Sequence, residues 1–156
     1  MTEVEKRLKK LGHDVPDVPK PAANYVPWSI SGNTVYVAGQ IPVVKGEVQA
    51  TGKVGKDHSL SQAQAIAQLC ALNVVGVLKA AAAEAGKTLD DVRVVRLSGF
   101  VNTAPGFTDI HLVTNGASDL IGAAFGERGI HARSAVGMAE LPLGVPFELE
   151  AIAEFV

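Results

Sequence analysis

Two stretches, His131-Ala132-Arg133-Ser134-Ala135-Val136-Gly137-Met138 and Val145-Pro146-Phe147-Glu148-Leu149-Glu150-Ala151-Ile152-Ala153, flank the short connection Leu141-Pro142-Leu143-Gly144. Both runs are rich in strand formers and the connection is built of Pro and Gly, so together they read as a hairpin. In the second run Phe147, Leu149, Ala151, Ala153 and Phe155 alternate with Glu148, Glu150 and Glu154. That alternation gives one apolar face for helices and one face carrying acids. In the first run Arg133 shares a side with His131, Ala135, Gly137 and Ala139, a guanidinium framed by small residues. A turn centred near Pro142 sets Glu148 opposite the region of Gly137 and Arg133 opposite that of Ile152, leaving Arg133 and Glu148 roughly 15 Å apart at about 3.3 Å per residue. Groups so separated serve one site only if that site is assembled between subunits.

Working outward, Thr108 or Asp109 opens a helix with Ile110, Val113, Ala117, Leu120, Ile121 and Ala124 on one face and His111, Asn115 and Ser118 on another; it ends at Gly126. Residues 92–102 form a β-branched strand suited to the sheet interior, with Arg93 and Arg96 expected on opposite faces. Before it, Ser59-Leu60-Ser61-Gln62 carries a capping signature, and an apolar stripe from Leu60 to Leu78 predicts a core helix that stops at Gly86. A first hairpin follows from residues 25–30, a Ser31-Gly32-Asn33 turn and residues 34–40, with Tyr25 at an edge where its ring can face a pocket. The N-terminus reads as a short amphipathic helix followed by an arm, 13–23, that Pro16, Pro19 and Pro21 keep out of regular structure. The division is thus 1–23, helix and Pro-rich arm, and 24–156, one α+β domain with a mixed sheet and two helices on one face. The other face of that sheet is left uncovered, and copies of the chain are its simplest cover.

Bulk properties narrow the function. The 156 residues are 47% hydrophobic and 19% charged, with net charge −2 and dispersed Lys and Arg. This is poor material for binding a polyanion, so a nucleic-acid partner is not expected. No apolar run approaches the roughly 20 residues of a membrane span, and Met-Thr-Glu-Val-Glu-Lys lacks the apolar core of a signal peptide, so a cytoplasmic protein with no membrane partner is expected. The single cysteine, Cys70, lies in a helical pattern and reads as packing. Thr51-Gly52-Lys53-Val54-Gly55-Lys56 has the wrong spacing for a phosphate loop, and no metal-ligand cluster or nucleophile elbow is present, so no metal or cofactor is expected.

Arg133-Ser134-Ala135-Val136, Leu141-Pro142 and the strand from Phe147 to Ala153 resemble the C-terminal signature of the RidA (YjgF) family of reactive-intermediate deaminases. Ala38-Gly39-Gln40-Ile41-Pro42 resembles its N-terminal signature, and Tyr25 stands where the family has a Tyr. The resemblance covers about residues 22–156. It implies a chorismate-mutase-like fold, a homotrimer with clefts between subunits, and hydrolysis of imines such as 2-aminoacrylate to 2-keto acids and ammonia. It also implies that Arg133 binds the substrate carboxylate, that Glu148 positions water, and that Tyr25, Ala38, Gly39, Asn115 and Ala135 line the cleft. Ala135 departs from the Cys of the best-known deaminases, and the N-terminal helix and arm are additions.

The chemistry suits the residues. An arginine fork holds a small carboxylate by two charge-assisted hydrogen bonds, and a carboxylate beside a water can activate it for attack on a C=N carbon. Against this stand an Arg133 held in an ion pair between subunits, a carboxylate-binding or regulatory trimer without turnover, and the endoribonuclease activity attached to the family's name.

Overall fold

The computed structural model describes residues 1–18 and 24–156. Helix α1 (Glu3–Lys10) is closed at its start by a capping box, in which Thr2 Oγ1 accepts from the Glu5 N–H while the Glu5 carboxylate accepts from the Thr2 N–H. Acids in its first turn and bases in its last complement the helix dipole. Val4 and Leu8 are buried in the same hydrophobic core as the rest of the chain. Residues 13–18 of the arm carry no regular structure, and the part of that expectation falling on 19–23 lies outside the described residues.

The order continues β1 (Trp28–Ser31), β2 (Thr34–Gln40), β3 (Val43–Val44), β4 (Glu47–Val48), α2 (Leu60–Glu84), β5 (Val92–Asn102), α3 (Ile110–Phe125), β6 (Ala132–Met138) and β7 (Phe147–Phe155). The first hairpin forms as read, with Trp28 opposite Val37. The Ser59/Gln62 capping box starts α2. At α3, Asp109 occupies the cap position but its side chain makes no capping hydrogen bond, a departure from the sequence expectation.

The five-stranded sheet runs β1-β2-β7-β5-β6, all antiparallel neighbours except β5 and β6, which are parallel. The C-terminal hairpin expected from the sequence is therefore not made: β5 lies between β6 and β7. A parallel pair needs a crossover, and α3 supplies it, so β5-α3-β6 is one βαβ unit. The Pro/Gly connection then steps over β5 rather than turning back beside β6. Inserted there, β5 finds ladder partners on both edges, as its apolar pattern asks.

Helices α2 and α3 cover one face of the sheet, against Leu97, Phe147, Leu149, Ala151 and Ala153. By length and composition α2 could cross a membrane, with mean hydropathy 1.7 over an 18-residue window, contrary to the expectation of no such run; yet 61% of that window is buried inside the protein, as befits a core helix. Cys70 lies fully buried on α2, and burial pushes its thiol pKa well up, so it packs. The opposite face is uncovered in the single chain: Tyr36 is 49% exposed, and Val95 and Val136 are exposed with it. A bulge between Val94 and Arg96 puts both Arg93 and Arg96 on this face, not on opposite faces as counting residues suggested. There Arg93 meets Glu154 at 3.3 Å and Arg96 donates to the Ser134 hydroxyl at 2.8 Å.

Candidate functional site

Arg133 sits on the edge strand β6 and pairs in register with Leu97, which in turn faces Ala151. Cross-strand neighbours point the same way, and both partners are buried under the helices, so Arg133 points toward α3. There Nη1 donates to Asn115 Oδ1 at 2.8 Å and to Ser118 Oγ at 3.1 Å, while Nη2 donates to the His111 carbonyl at 3.2 Å. Residues 111, 115 and 118 share one helix face by their spacing, which is why a single side chain reaches all three. Asn115 and Arg133 are thus brought together. Ala135, two residues on, shares the side of Arg133, with Gly99 and Leu149 as its register neighbours.

A guanidinium has five N–H donors, and three are used by these acceptors. Among the described residues the Nε–H and one Nη2–H are left, and no carboxylate lies within salt-bridge distance of Arg133. Two remaining N–H groups are the capacity of one carboxylate ligand.

Glu148 belongs to the other side of the sheet. It pairs with Phe100, three register positions from the Leu97 row of Arg133, so the two side chains project from opposite faces. Two strand spacings and three residues separate them by roughly 14 Å. The sequence estimate of their distance stands near this value, although the hairpin it rested on does not exist. Glu148 is half-buried, and burial, reinforced by Glu150, raises its carboxyl pKa above the ordinary 4.5. Beside it β2 bulges between Val37 and Gln40. A Cβ at Gly39 would collide with Glu148 Oε1, so the carboxylate fits only because position 39 has no side chain. Ala38 shares the bulge: its N–H donates to the Pro27 carbonyl at 3.0 Å and its carbonyl accepts from Gln40 Nε2 at 3.0 Å. Tyr25, two residues before Pro27, leaves the sheet at this same end with 62% of its surface exposed.

The candidate residues therefore fall into two corners, Arg133-Asn115-Ala135 and Glu148-Gly39-Ala38-Tyr25. A cavity of about 550 Å³ lies elsewhere, between 14–18 of the arm, the β3–β4 turn and Leu69, Leu72 and Asn73 of α2, and none of the candidate residues lines it. The loop around Lys53 is a clamp: its Nζ donates to Asn102 Oδ1 at 2.8 Å, tying 51–58 to the end of β5. Among the described residues no group of three His, Cys, Asp or Glu is arranged to hold a metal ion. Ser118 and His131 were not singled out from the sequence as site residues. Ser118 contacts Arg133, and His131 Nε2 lies 2.9 Å from Ser118 Oγ. The readable signals were the 111-115-118 helical spacing and the 131-133 strand alternation, but only the docking of α3 on β6 makes them meet.

Comparison with known proteins gives consistent matches. The profile of the family described as "YjgF/chorismate mutase-like, putative endoribonuclease" matches residues 5–152. The chain is 44% identical to protein TCP17 of Trypanosoma cruzi over 97% of its own length and 93% of that protein. A crystal structure from Agrobacterium tumefaciens superposes with a TM-score of 0.90 at 46% identity, covering 99% of this chain and 93% of that one. E. coli TdcF, solved with bound serine, superposes with a TM-score of 0.62 at 26% identity, covering 89% and 94%.

Proposed function

Since this chain belongs to the YjgF/chorismate-mutase-like family, we propose that it hydrolyses reactive imines of small amino acids, such as that derived from 2-aminoacrylate, to 2-keto acids and ammonia. The proposed catalyst is a homotrimer in which the Arg133 corner of one copy meets the Glu148 corner of the next. The observation that carries this reading is the opposite-face placement of the two corners: one with two unpartnered N–H donors, the other with a half-buried carboxylate of raised pKa. The uncovered sheet face supports association of copies, and the serine bound to TdcF supports a carboxylate-bearing ligand of amino-acid size.

In the proposed mechanism the remaining N–H groups of Arg133 grip the substrate carboxylate and fix the C=N carbon. Glu148, as carboxylate, accepts a proton from water while the oxygen adds to that carbon. The resulting carbinolamine takes this proton on nitrogen, its hydroxyl gives its own proton back to the Glu148 carboxylate as the C–N bond breaks, ammonia leaves and the keto acid remains. Imines hydrolyse readily in water, so positioning and proton transfer suffice. No thiol takes part, and Ala135 fits that requirement.

The test is ammonia release from an imino acid generated in situ by a serine dehydratase. The protein is expected to accelerate it, and Arg133→Ala to abolish the acceleration. An imine lifetime unchanged by the wild-type protein would overturn the hydrolase reading, and keto-acid binding with no turnover would make the protein a carboxylate-binding trimer.

A further inference from the structure

We infer that Ser118 and His131 form a directional hydrogen-bond relay that sets the orientation of Arg133 for its ligand, an inference that rests on the reading of Arg133 as the carboxylate grip. His131 Nδ1 lies 2.7 Å from the Gly129 carbonyl oxygen. A carbonyl only accepts, so Nδ1 carries the proton, and in the neutral ring Nε2 presents a lone pair. Ser118 Oγ, 2.9 Å from that lone pair, donates its proton to it. The serine oxygen is then obliged to offer lone pairs to Arg133 Nη1, 3.1 Å away. With the ring neutral, every bond in the chain has one direction: Arg133 to Ser118, Ser118 to His131, His131 to Gly129.

Without the imidazole the Ser118 hydroxyl is a free rotor, able to turn its proton toward the guanidinium or back to its own helix. With it, both Nη1 hydrogens are fixed on Asn115 and Ser118, and the Nε–H and the second Nη2–H are left facing the ligand. The relay is anchored in backbone. A Cβ at Gly129 would collide with the Ile121 carbonyl, so this turn is pressed against α3 and its carbonyl has little room to move. Ser118 and His131 are positioning residues: they act on the ligand through Arg133.

Calorimetric titration with 2-oxobutanoate at about pH 8 tests this. Ser118→Ala and His131→Ala are each expected to weaken binding about 10- to 100-fold, the range for one hydrogen bond to a charged group. The double variant should bind no worse than the weaker single, because both break one chain. His131→Gln, whose Oε1 can take the Ser118 proton, should recover most of the affinity, and in turnover the single variants should raise KM with little change in kcat. Thermal melts identify a variant that fails to fold, and the glutamine variant then carries the test. Wild-type affinity in both alanine variants, or losses that multiply in the double, would overturn the relay while loss of binding in Arg133→Ala keeps the underlying reading. Undiminished binding in Arg133→Ala would overturn that underlying reading instead.

Discussion

The Arg133 corner and the Glu148 corner are built in opposite ways. Arg133 is held by three acceptors from α3, all on its own chain. Glu148 has no side-chain hydrogen bond among the described residues and owes its place to an absence, the missing side chain of Gly39. One corner is wired and keeps two N–H groups unpaired; the other is a half-buried carboxylate without a hydrogen-bond partner among the described residues. A cation fork suits binding, while a carboxyl of raised pKa suits proton transfer, so on the proposed reading grip and chemistry lie on different faces of one sheet. On the proposed reading, what each corner lacks is supplied by another copy.

That division predicts unequal losses. Arg133→Ala should cost about 10²- to 10⁴-fold in keto-acid affinity, the equivalent of two charge-assisted hydrogen bonds, with Arg133→Lys in between because an ammonium lacks the fork. Titration calorimetry reads this directly. Glu148→Gln should lower kcat by about 10²-fold while leaving keto-acid affinity within about threefold. Equal losses in both parameters would erase the division.

The pH dependence follows from the raised carboxyl pKa. On the proposed mechanism the active form is the carboxylate, so the rate should rise with pH across a limb lying above the ordinary 4.5, and that limb should vanish in Glu148→Gln. The fold binds this proton more tightly than the unfolded chain does. Stability therefore falls as pH climbs from the ordinary value through the raised one, and the glutamine variant should escape that fall in melts taken across the window.

Gly39→Ala sharpens the comparison further. Its methyl would meet the flexible end of Glu148 rather than backbone, so the melting temperature should hold while the carboxylate is displaced and kcat drops about tenfold. Glu5→Gln is the control outside both corners. The Lys79 ammonium at 2.7 Å, with the Thr2 N–H, holds the Glu5 carboxyl down to about 2. This contribution is present above the ordinary pKa of 4.5 and is lost as pH falls toward 2. Because Lys79 is half-exposed, the variant should lose only about 1 kcal/mol at neutral pH, with ligand binding unchanged.

What the sequence made legible was local. The Ser59/Gln62 box, the Phe147-to-Phe155 alternation and the β-branched run from Val92 each depend on neighbours along the chain, and each element formed. Strand order was not legible, because the partners of β5 come from 36 to 63 residues away and a Pro/Gly connection looks the same whether it turns back or steps over a strand. The bulge at Val95 reversed the facing of Arg96 for the same reason: counting by twos fails where one residue is extra. In the candidate site, Arg133 and Glu148 stood out by charge in apolar strands. Ser118 and His131 did not, since their role exists only where α3 docks on β6.

The central claim is that one site takes Arg133 from one copy and Glu148 from another, and subunit complementation tests it most directly. Arg133→Ala and Glu148→Gln chains, each inactive alone, are unfolded together in equal amounts, refolded and assayed for ammonia release. Random mixing of copies should restore about a quarter of wild-type activity, because that share of clefts joins an intact Arg133 to an intact Glu148. A mixture as inactive as its parents would contradict the account, since every chain in it lacks one of the two residues.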